Sequence, residues 1–545
     1  MDSNIIHDES PAPVNGFHRL VLFNWNNGLL AILGGLTVSF FLFGYWYPYW
    51  RITDVDVFHI YNVLLMNAGI PQEMAHHPAY LTLLMLCGIF RFLHKIGWME
   101  AYSLTTLPPV SDAAAYNLAW TQLVQTARLL CLVTALTFVV AFAYLMRRLV
   151  RDWYIATVCT FALAFSGGIA MSARSVKSEL LAAALVTCAL LVVFIVATAP
   201  RMRWRPLLIG LAALMCTLAL ENKVQAIFVI AAFPVIALPF GIRSDDPHNF
   251  WRQPRGYGAL AAFVLVALLA TIAAAPLLLD GMFPDPAVLG SLRPVLGAFG
   301  VFQAVFAAWI GLGIFVYAIV WRIPVVEAVA AAFAIIGGCA LALLTLNIIH
   351  NTGNVLAVVN PIDQLFMFAG HSTSQLFICH SLVCNSLLRL LLNNLSIMLK
   401  NHTFFLLTSP RPAIFLEWFV IAATIFAVRC GKRQVALQAA VLLVSVWGID
   451  TLQAARGLKQ EYFNFTDPLI ILSGAVLLDC LSDLRFAKWT YPVGAVLFGL
   501  HIAVGQAEPI KYAFMRRGPE PICEWNGYYM PQLPLPWCGQ APVRP

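Results

Sequence analysis

Two carboxylates, Asp54 and Asp56, stand two residues apart in the stretch "RITDVDVFHIYNVLLMNAG" (51–69), just past a long apolar run. Charged residues make up only 11% of the chain, so an acid pair at the mouth of an apolar segment is conspicuous. A carboxylate held at a helix end can take a proton from an attacking hydroxyl or amine. On a strand the two side chains would share a side, whereas a helix would splay them about 200° apart. The pattern leaves open which of the two is the base. His59 follows Asp56 by three residues, a spacing that can share a helical face. His76 and His77 lie in the same break between apolar runs. Asp54, Asp56 and His59 are of the types that ligate a divalent metal, but no spacing here is diagnostic of one.

Further charges collect at the ends of apolar runs: the acids Glu179 and Glu221, and the bases Arg174, Lys177, Lys223, Arg456 and Lys459. Charge beside a bilayer is costly and marks function. Arg and Lys of this kind suit a phosphate, which a guanidinium can grip with two hydrogen bonds. The bland alternative is that long basic side chains snorkel to the interface and that Glu–Lys pairs are structural.

The elements that must position these residues are membrane helices. Of 545 residues, 61% are hydrophobic, and they come in runs of about 20, the length that spans a bilayer. Runs at about 28–47, 127–146, 153–171, 179–199, 206–220, 224–241, 258–279, 300–320, 325–347, 411–428, 434–450, 466–482 and 489–506 predict an all-α integral membrane protein with about 13 transmembrane helices. Every second break is rich in Arg and Lys, as in "RRLVRDW" (147–153) and "PRMRWRP" (200–206), so the positive-inside rule places those breaks in the cytoplasm. The N-terminus is then inside and the C-terminus outside. The expected organisation is a cytoplasmic segment 1–27, a membrane domain 28–506 with long outer loops 48–126 and 348–410, and an outer tail 507–545. The stretch "HHPAYLTLLMLCGIF" in the first long loop suits an interfacial helix.

Most of the 12 cysteines lie inside apolar runs, where Cys behaves as a small hydrophobe. Cys523 and Cys538 flank the tail sequence "CEWNGYYMPQLPLPWC" and are the candidates for a disulfide if that tail lies outside. The net charge of +7 is accounted for by cytoplasmic loops and calls for no nucleic acid. Phosphate-loop, HExxH and GxSxG signatures are absent. Asn394, Asn401 and Asn464 begin N-x-S/T triplets, which are frequent by chance.

Several of these segments together resemble the GT-C superfamily of integral-membrane glycosyltransferases, which includes protein O-mannosyltransferases, the lipid A aminoarabinose transferase and the rhizobial galacturonosyltransferases. "DVDVFHIYNVLLMNAG" is similar to that family's first-loop pattern of an acid, an aromatic and a helix ending in Gly. "HHPAYLTLL", the run 127–185 ending in "SARSVKSELLAAAL", and "LLIGLAALMCTLALENKVQAIFVI" (207–230) follow in the family's order, and "RGLKQEYFNFTDPLIILSGAVLL" (456–478) resembles its late segment. The likeness covers 30–240, returns near 456–478, and is faint between. It implies a GT-C-like fold, a polyprenyl-phosphate sugar donor, a lipid, glycan or protein acceptor, and inverting transfer on the non-cytoplasmic face, with surrounding membrane lipids as further partners. A bacterial inner membrane with the site facing the periplasm is the implied location. Counting back from Gly69, the family's first-loop acid falls on Asp54, while the acid–aromatic spacing also admits Asp56. Donor phosphate would fall to Arg174, Lys177, Lys223 and one of Arg456 and Lys459, because Glu461-Tyr462 stands where the family usually has Arg-Tyr. His59, His77, Glu179, Glu221 and Tyr462 are further site candidates.

The reading from another class is a secondary transporter or flippase for a lipid-linked or anionic solute. Such a protein keeps charges at mid-span on broken helices, commonly in two repeated halves. Here the charges sit at outer ends and no repeat is visible. A non-catalytic membrane scaffold is the third reading, against which the acid pair argues.

Overall fold

The computed structural model describes residues 25–70, 79–199, 202–241, 249–282, 299–349, 383–400, 402, 414–454, 458, 460–481, 487–514, 523, 526–527 and 530–538. Among them there is no strand. The α-helices are α1 (Trp25–Phe40), α2 (Phe58–Asn67), α3 (Tyr80–Lys95), α4 (Ala113–Leu149), α5 (Trp153–Ala164), α6 (Gly167–Ser172), α7 (Ser178–Thr198), α8 (Arg205–Asn222), α9 (Ala226–Ala237), α10 (Pro254–Met282), α11 (Phe299–Val320), α12 (Val325–Ile349), α13 (Val383–Leu399), α14 (Ile414–Arg429), α15 (Arg433–Gln453), α16 (Asp467–Leu481) and α17 (Ala487–Phe514). Each apolar run of the sequence carries a helix. Eight are long and apolar enough to cross a membrane, and three more are apolar but shorter, among the described residues. The described residues form an all-helical fold, that of an integral membrane protein.

Helix boundaries differ from the hydrophobic runs where polar residues join a helix. α4 has 37 residues, roughly 55 Å at 1.5 Å per residue, against a hydrocarbon core of about 30 Å. Its first turns therefore belong to the break 48–126. Asp112 starts it early by accepting a hydrogen bond from the Ala115 N–H at 3.1 Å. The run 153–171 is two helices, because Ser166 takes an extended conformation and caps α6. α17 continues past the apolar run to Phe514. Asn464, in one of the glycosylation-type triplets, is buried and donates to Ser172 Oγ at 2.8 Å.

One continuous core joins α1 to α9 with α14 to α17. α8 and α12 run parallel and close together: a Cβ on Gly210 would sit 2.9 Å from the Ala334 carbonyl oxygen, so only glycine allows the approach. At their N-terminal ends Arg205 and Glu327 form a two-pronged pair, Nε to Oε1 at 2.6 Å and Nη2 to Oε2 at 3.1 Å, both residues nearly inaccessible.

A buried pair costs more to break than to replace with apolar residues. Glu327→Ala should therefore destabilise the protein by about 3–5 kcal/mol, and Arg205→Met with Glu327→Leu should recover most of it. Thermal unfolding in detergent measures both, and equal losses in the single and double variants would contradict the pairing.

Candidate functional site

The acid pair sits in a run of short helical turns that follows Pro48. The last turn of α1 widens into a π-helical turn, Phe41–Tyr45. After Pro48 a 3-10 turn, Tyr49–Ile52, leads into a second π-helical turn, Thr53–Val57, and on into α2. The acids thus lie on a helical turn rather than a strand. The Asp54 side chain lies outside the described residues.

Asp56 is completely buried and fully engaged. Its Oδ2 accepts from Arg128 Nη2 at 2.6 Å and Nε at 3.0 Å, and its Oδ1 accepts from the Val176 N–H at 2.7 Å. All three partners are donors, so the arrangement is one for the ionised carboxylate. The same guanidinium donates to the Tyr47 carbonyl at 2.6 Å and reaches those of Gly44, Tyr45 and Pro48 at 3.4–3.5 Å. Arg128 rides on a buried stripe of α4 that repeats every four residues: Tyr116, Trp120, Val124 and Arg128.

Arg174 follows α6 in the turn that leads to α7. It is 5% exposed. Its side chain crosses Gly44, where a Cβ would lie 2.6 Å from its Cγ. Its Nη2 donates to Ser39 Oγ at 2.5 Å, its guanidinium lies 5.5 Å over the Phe43 ring, and its Nη1 has no hydrogen-bond partner. Among the described residues no carboxylate pairs with it. Burial pushes its pKa down, partly offset by Tyr47. Arg51 stacks 4.5 Å over the Tyr47 ring and Arg128 lies 5.8 Å from it. Burial raises the Tyr47 phenol, opposed by Arg174, Arg51 and Arg128.

The lysines are differently placed. Lys223 binds Glu179 at 2.7 Å and Lys177 faces Glu461 at 3.4 Å. Both have a compensating carboxylate. Asn222 braces this corner, donating to the Ser178 carbonyl at 2.7 Å and accepting from the Thr82 N–H at 2.8 Å. Glu221 is buried beside it with Oε2 unpartnered. Tyr462 is half-buried on the 3-10 turn Gln460–Phe465. His77, Arg456 and Lys459 lie outside the described residues.

His59 is buried on α2, and its Nδ1–H donates to the Val55 carbonyl at 2.7 Å. Burial lowers its pKa, so the ring is neutral. With Asp56 turned to Arg128 and Val176, and His59 to its own backbone, the two do not converge as ligands. Among the described residues no group of three His, Cys, Asp or Glu side chains is arranged to hold a metal.

Two constellations were not read from the sequence. Arg128 stands alone in an apolar run, a signal that was visible, but its partner is 72 residues away. His402 is buried between Glu417 of α14 and Asp450 of α15, Nδ1 to Oε2 at 2.8 Å and Nε2 to Oδ2 at 2.9 Å. With both acids ionised, the ring must carry both protons to satisfy them. No local spacing announces that trio. Cys523 and Cys538 are joined by a disulfide.

No protein-family model matches the chain, and no curated protein matches it. Among solved structures it is similar to the archaeal oligosaccharyltransferase AglB from Archaeoglobus fulgidus, in complex with an inhibitory peptide and a dolichol-phosphate, at 14% identity and a TM-score of 0.39. That alignment covers 95% of this chain, which spans 61% of the archaeal chain.

The neutral His59 has a pH consequence. Its folded pKa lies below the unfolded value of about 6.5, so the unfolded chain binds more protons under that pH. Its contribution is full above about pH 6.5 and lost as pH falls below it. His59→Gln should flatten the fall in thermal midpoint between about pH 7 and 5. An unchanged slope would contradict a buried neutral ring.

Proposed function

We propose that the chain is a membrane glycosyltransferase that moves a sugar from a polyprenyl-phosphate donor to a hydroxyl or amine of a lipid, glycan or protein acceptor. The observation that carries the reading is Arg174: a buried guanidinium with an unpartnered Nη1 and no carboxylate among the described residues, in the turn that also braces the acid pair. Burying an uncompensated cation is costly and makes sense where an anion arrives to complete it. A phosphate matches a guanidinium in charge and in hydrogen-bond geometry. The sequence resemblance to GT-C enzymes points to the same chemistry.

In this reading the two acids divide the work. Asp56 holds the architecture, with every oxygen committed to protein donors. Asp54 is the general base. It takes the proton from the acceptor as the acceptor oxygen or nitrogen attacks the anomeric carbon. The bond from that carbon to the phosphate oxygen breaks on the opposite face, which inverts the configuration. Polyprenyl phosphate departs with the bonding electrons, and Arg174 meets the negative charge as it grows. Lys177 and Lys223, held by Glu461 and Glu179, set the field around that phosphate and can exchange partners with it. Arg456 or Lys459 completes the phosphate contacts.

The topology that goes with this reading has 13 spans, the N-terminus inside and the loops 48–126 and 348–410 roofing the site on the outer, periplasmic face. The disulfide supports that orientation, since such bonds persist in oxidising compartments and the tail that carries it touches α2 and α4 beside the acids.

The test uses purified protein and radiolabelled polyprenyl-phosphate sugars. Asp54→Asn should lower kcat by about 10²–10⁴-fold with the donor still bound. Arg174→Gln should weaken polyprenyl phosphate binding at least about tenfold, a loss of about 1.4 kcal/mol. Undiminished transfer by Asp54→Asn, or undiminished phosphate affinity in Arg174→Gln, would overturn the assignment of that residue.

A further inference from the structure

Within the ring closed by Cys523–Cys538, residues 530–538 pack into the core of the protein. Leu533 and Leu535 point inward at 1% and 5% exposure, while Pro531, Pro534 and Pro536 face out. Between turns at 531–532 and 536–537 the alternation lays a short ribbon with one apolar edge down. The ribbon is fastened to itself as well: Asn526 Nδ2 donates to the Leu533 carbonyl at 3.0 Å, and the Cys538 N–H to that of Leu535 at 3.1 Å.

Three tyrosines are among the residues it touches. Tyr116 of α4 donates its hydroxyl to the Pro534 carbonyl at 2.7 Å. Tyr61 of α2 accepts from the Gln532 N–H at 3.3 Å. Trp537 packs against Tyr49 with ring centroids 6.1 Å apart, and Tyr49 in turn stacks on Trp120 at 6.0 Å. Tyr49 also donates to Asn117 Oδ1 at 2.7 Å. The positions of these residues matter. Tyr49 opens the 3-10 turn just before the acids, Tyr61 lies on α2 just after them, and Tyr116 begins the stripe of α4 that ends in Arg128.

We propose that the disulfide-closed segment 523–538 is a clasp that fixes the acid turn at both ends, and that Tyr49, Tyr61 and Tyr116 are the positioning residues through which it acts. The turn itself is short, contains a π-helical segment, and has no side-chain cap on the helix that follows. Its register is therefore set by what grips it from outside. The Asp56–Arg128 pair grips its middle, and the ribbon grips its two ends. Opening the disulfide frees the ribbon to leave, and the residues between Tyr49 and Tyr61, Asp54 among them, gain freedom. Among the described residues no hydrogen bond or ring contact joins the ribbon to Ser39, Gly44 or Arg174, where the proposed phosphate end lies. Acid and anion sites are then separable, which is what the test exploits. The effect on catalysis rests on the transferase reading above, whereas the mechanical claim does not.

Hydrogen–deuterium exchange of the full-length protein in detergent tests the clasp. Three forms are compared with the oxidised wild type: wild type reduced with a trialkylphosphine, the double variant Cys523→Ser and Cys538→Ser, and Tyr116→Phe, which removes a single hydrogen bond and keeps the packing. Opening the ring should raise exchange over residues 49–66 by about tenfold or more and leave α15 and α16 unchanged, as expected of a local rather than global opening. Tyr116→Phe should move the same peptides in the same direction by less. Should the double variant fail to fold, the reduced wild type and Tyr116→Phe carry the test alone. In the transfer assay, kcat should fall on reduction while affinity for polyprenyl phosphate stays within about twofold, the split expected when a base is displaced and the anion site is not. Unchanged exchange over 49–66 would overturn the clasp, and so would a uniform rise along the whole chain. A local rise with no transferase activity in any form would uphold the clasp and sink the transferase reading instead.

Discussion

The buried pair of Asp56 and Arg128 is the constraint on which the region around the acid turn is built. Charges of this kind are costly to remove from water, and the attraction between them offsets that cost only with close geometry and every remaining donor and acceptor met. Here the carboxylate meets Arg128 twice and the Val176 amide once, and the rest of the guanidinium meets carbonyls of the segment that ends α1. One ion pair thereby ties four pieces of chain: the end of α1, the acid turn, α4, and the turn between α6 and α7. Those pieces carry Asp54, Arg174 and Lys177.

Charge balance then distinguishes the cations of this region. Arg128 has Asp56, Lys223 has Glu179, and Lys177 has Glu461. Arg174 has a serine hydroxyl, an aromatic face and an unfilled donor. An unfilled donor on a buried guanidinium is costly in a low-dielectric setting. In the proposed function the lysine pairs frame the anion site and Arg174 is its open contact. Gly44 is what makes the placement possible, since any side chain there would collide with the arginine stem.

Much of the helical layout was legible because a bilayer imposes a length of about 20 apolar residues on each span, and that length is written in composition. The acid pair was legible because charge is so scarce around it. What could not be read was partnership. Asp56 and Arg128 are 72 residues apart, Glu417 and His402 meet only when α14 and the preceding segment fold together, and Tyr116 reaches Pro534 across 418 residues. Such contacts follow from tertiary packing, which leaves no period in the sequence. The two acids differ for the same reason: spacing alone makes them equivalent, and only Arg128 and Val176 single out Asp56. A polar helix start at Asp112 carries α4 into the break 48–126, beyond the apolar run that announces the helix.

A double-mutant cycle on Asp56 and Arg128 tests the central claim most directly. Asp56→Asn, Arg128→Met and the double variant would be compared with wild type by thermal unfolding in detergent. The account predicts that each single change destabilises by about 3–5 kcal/mol, since each strands a buried partner, and that the double change costs less than their sum by about 3 kcal/mol. Additive losses would mean that the two residues act independently, and the keystone role given to this pair would be wrong.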